Sequence, residues 1–137
     1  MNKNVKIDRE KYIGGSDIPI IMGISPFKSY YQLLKEKTGI ESPEEIDNDF
    51  TRYGNVMEEK IRDYVNEFEE TPYLEDTLIK GDIRCNVDGY NGNNIIEIKT
   101  TSKVKKKVKS YKYYLVQLLF YLMEYDKKQG ILFVYER

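Results

Sequence analysis

A chain of 137 residues with 22 basic and 23 acidic side chains, net charge −1, is long enough to bury a core as one domain over residues 1–137. It has no histidine and one cysteine, Cys85. Internal disulfides, Cys-built zinc or iron–sulfur sites, and Ser-His or Cys-His nucleophilic schemes are therefore excluded. Any metal would need oxygen ligands, which points to Mg²⁺, Mn²⁺ or Ca²⁺.

The N-terminal stretch MNKNVKIDRE lacks an apolar h-region, and no run of 18 apolar residues occurs. The sequence thus reads as a cytoplasmic protein without a membrane segment. Residues 18–24 form a short apolar stretch ended by Gly23 and Pro26. SYYQLLKEKT, 29–38, predicts a helix capped by Ser29 and stopped by Gly39. ESPEEIDND, 41–49, is an acidic loop. A longer helix is predicted over 50–69, with Met57, Ile61, Tyr64, Val65 and Phe68 on one buried stripe and Pro72 beyond its end. Strands follow near 73–79, 82–89 and 94–99. Asn91-Gly92 signals a hairpin between the last two. A helix from Lys109 to Tyr125 and a strand at 131–135 complete a mixed α/β or α+β order. On that helix Tyr113, Gln117 and Tyr121 share one face, while Leu115, Leu118, Leu119 and Leu122 form a separate apolar surface.

The hairpin RCNVDGYNGNNIIEIK carries Asp88, Glu97 and Lys99 among residues suited to a core. Alternation puts Ile96 and Ile98 on one face and Ile95, Glu97 and Lys99 on the other. Ile83, Cys85 and Val87 share one face of the preceding strand, Asn86 and Asp88 the other. A two-residue Asn91-Gly92 loop would set Asp88 opposite Ile95 with Glu97 diagonal to it, within reach of a shared cation. Two carboxylates and a lysine suit metal-assisted hydrolysis of phosphodiesters. Cross-strand salt bridges on a solvated face explain the same spacing, and spacing alone leaves both readings open. Glu58-Glu59-Lys60 repeats the Glu-x-Lys string in a predicted helix, where ion pairing suffices. Residues 99–112, KTTSKVKKKVKSYK, hold seven lysines and no acid, a phosphate-facing patch or a solvated loop.

Six motifs in order resemble the phage lambda-type exonucleases, the YqaJ-like viral recombinase branch of the PD-(D/E)xK nucleases. They are RxxxIGGSD (Arg9 to Asp17), IxxGxSPF, RYGNVMEE (Arg52 to Glu59), VDGY, IIEIKT and YYLVQLLFY. The resemblance implies a restriction-endonuclease-like core, a central mixed β-sheet flanked by α-helices. It implies Mg²⁺- or Mn²⁺-dependent degradation of double-stranded DNA, 5′ to 3′ from an end, in phage-type recombination within a bacterial host. Carried over, Asp88 and Glu97 resemble the metal ligands, assisted by the Ile98 backbone carbonyl, and Lys99 the residue that positions or activates water. Glu58 matches the helix acid and would add a ligand or steer a water. Gln117 matches the Tyr-x-x-Gln of the following helix, a supporting role.

Arg9 and Ser16 resemble the phosphate-gripping pair, Gly14-Gly15 lets backbone amides approach a phosphate, and Asp17 caps the next helix. Lys28, Arg52, Lys103, Lys105 and Lys106 are the further DNA contacts. The family also implies a single-strand annealing protein as partner and a trimeric ring, although its members usually continue past the last strand. An endonuclease or junction nuclease on the same core, and a non-catalytic DNA-binding module, are the rival readings. An iron–sulfur nuclease is excluded by the cysteine count.

Overall fold

The computed structural model describes residues 7–44 and 47–137, which leaves out residues 1–6 and, from the acidic loop, Glu45 and Ile46. A 3-10 turn at Arg9–Lys11 and another at Gly15–Asp17 lead into α1 (Ile18–Ile21) and α2 (Tyr30–Lys37). Ser29 caps α2 as expected, its hydroxyl accepting the Gln32 amide at 3.1 Å. Helix α3 (Asp49–Asn66) opens on Asn48, whose side chain accepts the Thr51 amide at 2.9 Å. It closes on Asn66, whose carboxamide bonds both the N–H and the C=O of Tyr73 and turns the chain into the sheet. Strands β1 (Leu74–Lys80), β2 (Ile83–Tyr90) and β3 (Ile95–Thr101) run antiparallel in sequence. Helix α4 (Lys112–Tyr125) then crosses over to β4 (Gly130–Glu136), which pairs parallel with β3 at the sheet edge. The start expected for α4 at Lys109 is instead a 3-10 turn, Val108–Tyr111, tightened by the Ser110 amide on the Lys107 carbonyl.

The mixed sheet has the order β1-β2-β3-β4 and a core on each face. On one, Cys85, Val87 and Ile95 pack against Leu118 and Tyr121 of α4. On the other, Tyr73, Ile96 and Ile98 pack against Ile61 and Val65 of α3. The predicted α3 stripe is therefore only partly buried. Tyr64 and Phe68 are 63% and 72% exposed, in edge contact with each other. Ile61 and Val65 fill the sheet face beneath α3, and Tyr64 lies along an apolar groove between α3 and β4. Leu119 is likewise exposed, while Leu118 one residue earlier enters the core.

Two departures from the expected hairpin decide where its charges go. Tyr90 pairs with Ile95 and Gly89 with Ile96, so the loop is Asn91–Asn94 rather than two residues. The Asn91 carboxamide accepts the amides of Asn93 and Asn94 at 3.0 and 2.9 Å, an Asx turn that consumes two more residues. Gly92, at φ +93, supplies the left-handed backbone this loop needs. Continuing this register one step puts Asp88 across from Glu97, not Ile95. The second departure is in the β1–β2 ladder, where Leu74 pairs with Tyr90 but Asp76 with Val87. Glu75 thus opposes both Asp88 and Gly89. This β-bulge breaks the alternation of β2, and Val87 joins the Ile95 core while Asp88 still turns toward Glu97.

Candidate active site

Beyond Gly89 the β2–β3 ladder opens into a fork. The N-terminal segment fills it from the far end. The Ile13 amide donates to the Asp82 carbonyl at 2.7 Å, and the Arg84 amide donates to the Ile13 carbonyl at 3.0 Å. Inside the fork the Ile98 amide, deprived of a ladder partner from β2, donates to the Asp88 side chain at 2.8 Å. A cleft of about 520 Å³ results, bounded by β2, β3, α3, α4 and the Gly14–Asp17 turn.

Of the residues expected at the site, Arg9, Ser16, Glu58, Asp88, Glu97, Ile98, Lys99 and Gln117 line this cleft. Glu97 is 4% exposed. One of its oxygens lies 3.5 Å from the Lys99 ammonium, and the other is buried with no hydrogen-bond partner. Burial, then the Glu97 charge, pushes the Asp88 carboxyl well above the usual range, with Lys99 opposing. Burial, then Asp88, also raises Glu58. Burial acts to lower the Lys99 pKa, but Glu97, Asp88 and Glu58 outweigh it and the net shift is upward, so Lys99 carries its charge at neutral pH. Its ammonium also lies 5.2 Å from the Tyr114 ring centroid, a cation–π contact.

The donor set fits a divalent cation. A buried carboxylate oxygen without a donor, beside a second carboxylate of raised pKa, is costly for the protein alone and relieved by positive charge. Among the described residues, however, no three Asp, Glu, Cys or His side chains converge on one ion position. Glu58 nonetheless lies close enough to Asp88, and Asp88 to Glu97, for the carboxyls to interact directly. Glu58 pairs with Arg62 at 3.5 Å, four residues along α3.

The other expected contacts lie elsewhere. Lys28 pairs at 2.8 Å with Glu36, a carboxylate only 4% exposed that requires a counter-charge. Arg52 is held outside the cleft by Asp47 and Asp49 at 2.8 and 2.5 Å. Lys103, Lys105 and Lys106 stand exposed on the β3–α4 connection. Asp17 makes no side-chain cap on α1. Its carboxylate accepts the Gly14 amide at 2.9 Å and pairs with Lys37 at 3.1 Å.

Several contributors escaped the sequence reading. Lys37 also donates to the Arg9 and Tyr12 carbonyls, pinning the N-terminal turn. Arg84 is buried, lies 4.8 Å from the Tyr12 ring centroid, donates to the Ile7 carbonyl and lines the cleft. Arg62, 9% exposed, reaches the Asp88 carbonyl at 3.0 Å and Glu75 at 3.1 Å, across the bulge. Its spacing of four from Glu58 was the one readable signal. Tyr121 packs against Gly15, where a Cβ would come within 2.3 Å of the tyrosine oxygen.

A mixed four-stranded sheet with helices on both faces, and a carboxylate–lysine cleft at its fork, define the α+β core that the motifs implied. The YqaJ-like viral recombinase domain matches residues 6–125, and the chain belongs to that family. Protein D345L of African swine fever virus is 29% identical over 70 residues, covering 51% of this chain and 20% of that protein. The uncharacterized protein YqaJ of Bacillus subtilis is 34% identical over 55 residues, 40% of this chain and 17% of that one. A phage-related exonuclease of Haemophilus somnus, a solved structure, superposes with a TM-score of 0.65 at 17% identity, covering 88% of this chain and 66% of that one. At that identity the likeness speaks for the fold. The chain spans about a fifth of the curated relatives and about two thirds of the solved structure.

Proposed function

We propose that this domain is a divalent-metal-dependent deoxyribonuclease, hydrolysing double-stranded DNA from an end in the 5′ to 3′ direction. The observation that carries the reading is the buried, unpartnered oxygen of Glu97, a carboxylate that neighbours Asp88 and Lys99, in a chain of this family. The phage-related exonuclease of similar fold supports it.

In this reading Asp88, Glu97 and the Ile98 carbonyl would hold Mg²⁺ or Mn²⁺, and Glu58 would add a ligand or steer a water. The ion, when bound, supplies Lewis acidity toward a phosphate oxygen and makes a water more acidic. Lys99 donates hydrogen bonds that align the attacking water and offset negative charge developing at phosphorus. Gln117, buried on α4 and facing the cleft, fixes polar groups around that water. Arg9 and Ser16, which line the same cleft, grip the terminal phosphate, while the Gly14 amide is taken by Asp17 and holds the turn in shape. A single-strand annealing partner and a trimeric ring belong to the same reading.

Linear and covalently closed duplex DNA, each incubated with Mg²⁺ or Mn²⁺, provide the test. Wild type should degrade the linear form alone, and Lys99→Ala should lose about 10²-fold or more in turnover while remaining folded. Equal attack on the closed circle would replace the exonuclease with an endonuclease. An inert wild type under both metals would remove the nuclease.

A further inference from the structure

The chain carries 13 tyrosines and five phenylalanines, and four of these rings form a row outside both hydrophobic cores. Phe27 meets Tyr113 edge-on at 6.0 Å between centroids. Tyr113 lies 4.2 Å from Tyr114, and Tyr114 stacks with Tyr111 at 6.2 Å and an interplanar angle of 15°. Phe27, at the tip of the α1–α2 connection, is 80% exposed, so its ring faces are open to solvent. Core packing therefore does not account for it.

Two contacts tie the row to charge. At its inner part the Lys99 ammonium lies 5.2 Å from the Tyr114 centroid, joining the row to the cleft. At its far end the Lys105 amide donates to the Tyr111 hydroxyl oxygen at 2.5 Å, folding the lysine-rich connection against the rings. The segment 99–112 has seven lysines and no acid. One exposed ring leading into three half-buried ones, with lysines alongside and no carboxylate in that segment, matches the chemistry of unpaired nucleotides: phosphates on the lysines, bases on the rings. An acidic peptide would pair with the lysines but would leave the ring faces uncovered. Paired bases, already stacked within a duplex, would not engage the ring faces.

We propose that the Phe27–Tyr113–Tyr114–Tyr111 row is a stacking platform for single-stranded DNA, receiving nucleotides frayed from a DNA end. Its place beside the scissile phosphate rests on the nuclease reading. Its capacity to bind single strands does not.

The test is fluorescence anisotropy in EDTA, where hydrolysis cannot contribute, with the intact chain. The probes are a labelled oligothymidylate about a dozen nucleotides long, within the range of single-strand sites, and an abasic oligomer with the same number of phosphates. Wild type should bind the oligothymidylate at least about tenfold more tightly than the abasic oligomer. Phe27→Leu, at an exposed position that leaves the core alone, should weaken oligothymidylate binding by about 5- to 150-fold. Binding of the abasic oligomer should stay unchanged, and Phe27→Tyr should restore the difference. Equal binding of the two oligomers, equal weakening of both by Phe27→Leu, or binding of neither would each overturn the platform. A folded protein that binds single strands in this way yet cleaves no DNA would overturn the nuclease reading alone.

Discussion

Replacing Arg62 with methionine tests how Asp88 is held in place. Methionine keeps most of the apolar stem while removing a guanidinium that spans α3, β1 and the β2 bulge. The contact to the Asp88 carbonyl, at 3.0 Å and largely buried, falls in the charged hydrogen-bond range of about 1.5–3 kcal/mol. Glu75, a third exposed, adds a surface-type pair of about 0.2–1 kcal/mol. Glu58 sits at the limiting distance of 3.5 Å, but it is 12% exposed and loses the cation beside it. Together these give about 3 kcal/mol, at the lower end of the loss on breaking a buried pair from one side. For a domain of this size that corresponds to a fall of about 10 °C in Tm. Equilibrium urea unfolding measures it directly. The gap between variant and wild type should narrow at acid pH, because protonated Glu58 no longer needs the guanidinium. Turnover should also fall under conditions where the variant is fully folded, since the bulge no longer fixes Asp88. A loss below about 1 kcal/mol with wild-type turnover would refute the reasoning.

Gly15→Ala places a Cβ 2.3 Å from the Tyr121 oxygen and 2.4 Å from its ring, against a side chain only 5% exposed. Overpacking of this kind costs about 1–3 kcal/mol, and adding Tyr121→Ala should recover part of it. An unchanged unfolding midpoint would mean that the turn has room to spare. The raised pKa of Asp88 means that the folded, metal-free chain binds a proton more tightly than the unfolded one. Its contribution to stability is therefore most favourable at acid pH and declines as pH rises from the ordinary carboxyl range through the raised value. Asp88→Asn should raise the urea midpoint in EDTA at neutral pH, with the gain fading toward acid, and should abolish stabilisation by Mg²⁺. A variant less stable than wild type in EDTA at neutral pH would contradict the crowded-carboxylate picture.

The sequence determined the order of the elements, because hydrophobic period, Ser29 and the Gly/Pro punctuation act locally. It also pointed to Asp88, Glu97 and Lys99 sharing a face, which survives because the loop is longer than expected by two residues and an even shift preserves the alternation. The tertiary structure decided the rest. The Asn91 side chain lengthened the loop, and the β2 bulge pinned by Arg62 turned Asp88 directly onto Glu97. Neither effect leaves a periodic signature. The fate of each cation was also out of reach. Lys28, Arg52 and Lys37 are bound by acids brought near through folding or loop geometry, whereas Lys99 keeps its place in the cleft. A lysine's charge is written in the sequence, but the carboxylate that claims it is chosen by packing across the fold.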